Sequence, residues 1–251
     1  MTCFDANTWI GAWPFSFCDT HSARTLATHL RRHGIARALV SPLGAVFAPE
    51  PGPANQKLLR TTRPHRALVP VPVINPTLAN WPAELARCAG DSRVRCVRLL
   101  PNYHRYRLDG PAAGELVSAL VARGLRPIVQ MQLIDPRHEY HALSIRPVSS
   151  DDLAALLKRF RHVSLLASGL GRTDVLRLLP RFPQLLADLS FVEWIDTLAY
   201  LREKVSIRQL AFASHTPLLI TAAARVKLDA SALPVTVRRA VAAENLERFL
   251  R

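Results

Sequence analysis

Short apolar runs alternate along the chain with longer stretches in which apolar residues recur every three or four positions. The runs fall at 3–7, 36–41, 67–73, 96–100, 127–132, 162–167, 185–189 and 209–213, and each predicts a strand. The stretches between them predict helices at 23–33, 54–60, 83–88, 112–123, 173–179, 191–204, 222–227 and 236–249, and one that runs from a Ser149-Ser150-Asp151-Asp152 cap to Arg159. Ser22 is placed to cap the first helix and Gly34 to stop it; Gly124 ends the helix at 112–123. Pro70 and Pro72 fit the third run poorly, because proline offers no N–H to a ladder. The strand runs are continuously apolar rather than alternating, the pattern of a parallel sheet buried on both faces.

About eight strand–helix units in 251 residues match the size of a (β/α)8 TIM-type barrel, an α/β fold. No linker or shift in composition divides the chain, so a single domain over 1–251 is expected. An open doubly wound sheet is the alternative. It would place a glycine-rich turn after its first strand, where Gly11 stands alone.

Composition narrows the class. The chain is 49% hydrophobic, enough for a sizeable core, yet no apolar run approaches the roughly 20 residues that span a bilayer. No basic segment followed by an apolar one opens the chain, so no signal peptide is expected. The four cysteines form no CxxC pair, which argues against a finger-type zinc site and a disulfide framework. A reduced, cytoplasmic protein is the expectation. The net charge is +14, and of 33 Lys and Arg only Lys57, Lys158, Lys204 and Lys227 are lysine, leaving 29 arginines. The arginines are scattered along helices without an aromatic-rich tract, so nucleic acid is not the expected partner. The charge suits a small anionic substrate, an acidic protein or a second copy of the chain; no membrane partner is expected.

In such a barrel, chemistry sits at the C-terminal ends of the strands. The first strand reads FDANTWIG, and strict alternation puts Asp5, Asn7 and Trp9 on one face. Trp9 would stack on a planar ligand or pack the mouth. Later strand ends supply Asn102, Tyr103 and His104; Gln130 and Gln132; Asp135, Arg137, His138 and His141; Ser168; Asp188 and Ser190; and Ser214 with His215. His215 is an acid/base candidate or a hydrogen-bonded structural histidine. Asp188 is an acid, an orienting partner for His215, or a helix cap. Arg137 would hold a carboxylate or be locked by Asp135. Asn102, Tyr103, His104, Gln130, Gln132 and Ser214 are candidate substrate contacts. Cys3 and Cys18 read as inert.

The pieces FDANTWIG, VINP, CVRLLPNYHRY, LLADLSFVE, AFASHTP and AAENLERFL together resemble the amidohydrolase-related family of the amidohydrolase superfamily. The resemblance implies a barrel with a His-x-His pair on the first strand, one His after each of the fifth and sixth strands and an Asp after the eighth. Those groups hold one or two divalent metals that activate water against an amide, ester or lactone. In this chain the corresponding positions are Asn7 and Trp9, Gln130 or Gln132, Ser168, and His215. The resemblance therefore implies a divergent member that works without the usual metal centre and without a cofactor. It would be a hydrolase, or a related lyase, of a small anionic substrate with His215 as acid/base. The alternative is a catalytically inactive barrel that binds a ligand or partner. A relocated divalent metal on His104, His138, His141 and His215 is a further expectation to test.

Overall fold

The computed structural model describes residues 1–16, 21–135, 137, 140, 143 and 145–251. Eight parallel strands form its centre: β1 (Cys3–Ile10), β2 (Ile35–Pro42), β3 (Leu68–Pro70), β4 (Cys96–Leu99), β5 (Arg126–Gln130), β6 (Leu165–Ser168), β7 (Leu185–Asp188) and β8 (Leu210–Ala211). Around them lie α1 (Ala23–Arg32), α2 (Gly52–Thr62), α3 (Trp81–Ala89), α4 (Pro111–Val121), α5 (Ser150–Arg159), α6 (Arg172–Leu178), α7 (Thr197–Arg202), α8 (Thr221–Asp229), α9 (Val235–Arg239) and α10 (Asn245–Phe249). Among the described residues no helix is long and apolar enough to cross a membrane.

The ladders run in two sheets, β1-β2-β3 and β4-β5-β6-β7-β8. Backbone hydrogen bonds join them into a barrel on both sides. At one join, Arg98 N donates to Pro72 O at 2.8 Å and Ile74 N to Arg98 O at 3.3 Å. At the other, Ala6 N donates to Phe212 O at 2.9 Å and Trp9 N to Thr216 O at 2.8 Å.

Local chemistry starts and stops these elements. Ser22 Oγ accepts from Thr25 N and Thr25 Oγ1 from Ser22 N, a capping box that opens α1. Helix α1 then buries Leu26 and Leu30 on the sheet, each worth about 2 kcal/mol in area removed from water. The predicted run at 67–73 shortens to β3 because Pro70 and Pro72 cannot donate; Val71 N and Arg98 N carry the pairing onward. The helix predicted at 191–204 shortens to α7, because Asp196 accepts from Ala199 N at 3.0 Å and fixes the N-cap there. The closing helix at 236–249 is α9 and α10 joined by a π-helical turn over Ala240–Glu244. Asn245 anchors it, donating to Ile207 O at 2.7 Å and Leu210 O at 2.8 Å.

Strand β1 departs from strict alternation. Asp5 pairs with Ala38 and Thr8 with Val40, so between them two residues on β1, Ala6 and Asn7, oppose one on β2, Leu39. Below this bulge Phe4 and Ala6 enter the barrel interior; above it Trp9 does, while Cys3 and Ile10 both face the helices. The bulge thus changes which parity points inward. Asn7 and Trp9 face the interior, and Asp5 turns Oδ1 to the N–H groups of Asn7 and Ser214, each at 3.0 Å.

Backbone contact is tightest at Gly169, after β6. Its φ is +81°, and a Cβ there would lie 2.3 Å from Gln132 O. Gly169→Ala is expected to cost about 2–5 kcal/mol, read from the urea midpoint at unchanged slope.

Candidate active site

Asn7 stands at the centre of a buried hydrogen-bonded chain. One hydrogen of its Nδ2 goes to Asp188 Oδ2 at 3.0 Å and the other to His215 Nδ1 at 2.8 Å. His215 Nε2 lies 2.6 Å from Leu133 O. A carbonyl only accepts, so this partner assigns the ring proton to Nε2 and the lone pair to Nδ1. Both ring nitrogens are engaged. Burial pushes the imidazole down to about 4, so it is neutral at pH 7. Its backbone is left-handed, with φ +56°. Asp188, at the end of β7, also accepts from Gly169 N, Ser190 N and Ser190 Oγ through Oδ1.

A cation lies beside this chain. Arg98 of β4 is fully buried, with its guanidinium 4.6 Å over the Trp9 ring. Nε donates to Ser41 Oγ at 2.7 Å and Nη1 donates to Gln130 Oε1. Burial lowers Arg98 only to about 10, so it keeps its charge at neutral pH. Five buried atoms here have no hydrogen-bond partner among the described residues: Arg98 Nη2, Trp9 Nε1, Asn7 Oδ1, Asp5 Oδ2 and Ser168 Oγ. Burial pushes Asp5 up to about 7. It also raises the Cys3 thiol to about 11 and Cys96 to about 12, which leaves both unreactive at neutral pH.

Above β5 to β8 a cavity of about 650 Å³ opens at the C-terminal face. Arg137, Arg172 and Lys227 line it, against Asp135 and Glu193. Arg172 stacks 3.8 Å over Trp194. Lys227 Nζ donates to Leu189 O at 3.0 Å and Ser190 O at 3.3 Å, and burial holds it below the usual lysine range. Ser214 reaches the cavity, bonded to Thr216 Oγ1 at 2.6 Å. His215 does not. The Phe191 ring stands edge-on to it at 5.2 Å, Phe191 lines the cavity, and His215 is 0% exposed.

The structure therefore gathers Asn7, Asp188 and His215, and sets Trp9 and Gln130 against Arg98 next to them. Gln132 instead donates to Ile134 O. Asp135 and Arg137 pair with each other at 2.5 Å on the cavity rim. Asn102 donates to Arg146 O, Tyr103 packs on Phe47, and His104 Nε2 bonds Ala45 O, so these three serve loops on the β2–β5 side. His138, His141 and Cys18 lie outside the described residues. Sequence reasoning passed over Arg98, Arg172 and Lys227. Arg98 had a signal, a lone charge inside the apolar run CVRLL.

The positions to which the resemblance assigns metal ligands do not suit a divalent ion. Indole offers no lone pair, the one lone pair of His215 accepts from Asn7, and Arg98 holds a positive charge against Trp9. Among the described residues no three His, Cys, Asp or Glu side chains come together as a metal-holding group.

Residues 44–251 match the family model described as Amidohydrolase. A comparison with curated proteins finds no match. Among solved structures, the chain is similar to a 5-carboxyvanillate decarboxylase from Novosphingobium aromaticivorans complexed with manganese and 4-hydroxy-3-methoxy-5-nitrobenzoic acid, with TM-score 0.78, 12% identity, and 99% of this chain and 96% of that one covered. It is similar to a 2,6-dihydroxybenzoate decarboxylase from Rhizobium, with TM-score 0.76, 11% identity and coverage of 99% and 98%. It is also similar to a probable 2-pyrone-4,6-dicarboxylic acid hydrolase from Acinetobacter baumannii with citric acid bound, with TM-score 0.68, 14% identity and coverage of 100% and 99%.

Asp5 gives the site a pH signature. An unfolded aspartate titrates near ~3.9, whereas the folded protein keeps this proton to about pH 7. Across that window the folded state binds more protons than the unfolded state, so the Asp5 contribution to stability is lost as pH rises, by at most ~1.4 kcal/mol per unit. Asp5→Asn keeps an oxygen for Asn7 N and Ser214 N and removes the titration. Urea unfolding between about pH 4 and 8 is expected to show the variant gaining on the wild type as pH rises.

Proposed function

The chain belongs to the amidohydrolase family, and from that premise we propose that it binds a small carboxylate-bearing molecule in the mouth cavity and does so without metal-dependent turnover. The observation that carries this reading is the sealing of His215 under Phe191 while the cavity above keeps its cations. Arg172 presents a planar fork suited to a carboxylate, and its stacking on Trp194 fixes that fork before a ligand arrives. Lys227, partly desolvated and 3.8 Å from Glu193, is a second cation on the same wall. Arg137 is already neutralised by Asp135 and serves the rim. Carboxylated ligands in similar barrels, the nitrobenzoic acid and citric acid complexes, support the choice of anion.

A second reading has its own observation. The Asp188–Asn7–His215 chain lies directly below Ser214 and Phe191 at the cavity floor. If Phe191 swings aside and Nε2 releases Leu133 O, His215 can hydrogen-bond a bound ester, lactone or carboxylated ring, and give up a proton to it once the imidazole is protonated at both nitrogens, with Asn7 steadying the imidazole. That is a metal-free hydrolase or lyase, and His215 is its acid/base.

One set of measurements separates them. Isothermal titration against hydroxylated benzoates and small di- and tricarboxylates is expected to give saturable binding, weakened about tenfold by Arg172→Ala. Elemental mass spectrometry after incubation with manganese or zinc is expected to find no stoichiometric metal. Product analysis on esters, lactones, amides and carboxylated phenols is expected to find no turnover; turnover that disappears in His215→Ala establishes the second reading instead.

A further inference from the structure

At the opposite, N-terminal end of the barrel lies a second cavity, of about 760 Å³. It opens between the end of α2, the approaches to β2, β3 and β4, and α10. Its floor is apolar, with Phe4, Leu68, Val69 and Leu250. Its walls carry Arg37, Arg63, Arg66, Arg93 and Arg95 against one acid, Glu247. Two of these arginines are committed elsewhere. Arg93 binds Asp91 at 2.6 Å and Leu59 O at 2.7 Å, and Arg37 sits 3.6 Å from Glu247 and over the Phe4 ring. Among the described residues, the side chains of Arg63, Arg66 and Arg95 find no hydrogen-bond or ion-pair partner. Some arginines elsewhere on the surface are neutralised locally, Arg107 by Asp109, Arg177 by Asp151 and Arg225 by Asp229; here three unneutralised ones border a single concavity. Arg251 also lines the cavity.

Three unpaired guanidiniums around one concavity repel one another, and the concave wall concentrates their field. A multivalent anion relieves both. Guanidinium forks match phosphate oxygens in pairs, and three of them, two on the turn after α2 and one before β4, suit phosphates that are linked rather than single. The apolar floor leaves room for a non-phosphate moiety against Val69 and Leu250. A confined cavity does not offer the extended track that a nucleic-acid backbone requires. We propose that this cavity is a binding site for a small molecule carrying two or more linked phosphates, held by Arg63, Arg66 and Arg95.

The test uses pyrophosphate and tripolyphosphate on the whole chain, read by thermal shift and isothermal titration. Sulfate at equal ionic strength, citrate and a single-stranded oligonucleotide are the controls. The expected result is saturable binding of the linked phosphates at one site. The exposed-residue double variant Arg66→Ala, Arg95→Ala is expected to lose at least tenfold in affinity, and Arg172→Ala at the other end of the barrel is expected to leave it unchanged. An equal shift with sulfate, undiminished binding in the double variant, or equal binding of citrate overturns the proposal. So does binding of the oligonucleotide without pyrophosphate, which would assign the surface to nucleic acid.

Discussion

Arg98 reaches from β4 to Ser41 on β2 and Gln130 on β5, and its guanidinium lies over Trp9 of β1. Its own N–H and C=O make the backbone join between the two sheets. One buried cation therefore touches four strands on both sides of a closure that the ladders alone leave open. Burying a charge costs several kcal/mol even after relaxation. Here the cost is offset by charge-assisted hydrogen bonds, by the face of the indole and by attraction to Asp188 and Asp5. The partners are satisfied in turn: Ser41 passes its hydroxyl hydrogen to Val71 O, and Gln130 its amide to Gln132 O.

The rest of the interior follows from that charge. With a cation fixed against Trp9, the neighbouring polar groups settle into hydrogen bonds with one another. Asn7 supplies two donors to two acceptors, Asp188 and the Nδ1 of a neutral His215, which a metal-binding imidazole and carboxylate would offer to an ion instead. Arginine and lysine side chains instead line the cavities at the two ends of the barrel.

The barrel was legible because strands buried on both faces are written as unbroken apolar runs, and eight of them recur with helical stretches between. Boundaries failed where a side chain outranked periodicity. Phe191, Val192, Leu198 and Leu201 keep a helical spacing, yet Asp196 starts α7 late. The bulge in β1 carries no Gly or Pro to announce it, so the alternation of Asp5, Asn7 and Trp9 looked unbroken. At the site, strand-end residues such as Asp188 and His215 could be located by counting strands. Arg98 left one signal, a lone charge inside an apolar run, whereas Arg172 and Lys227 come together only where α6 and α8 border the same cavity.

The arginine between the sheets also constrains any rebuilding of the interior. A histidine placed at position 9 would stand against a fixed guanidinium, a poor neighbour for a cation. Removing the guanidinium first would cut the bonds to Ser41 and Gln130 that help close the barrel.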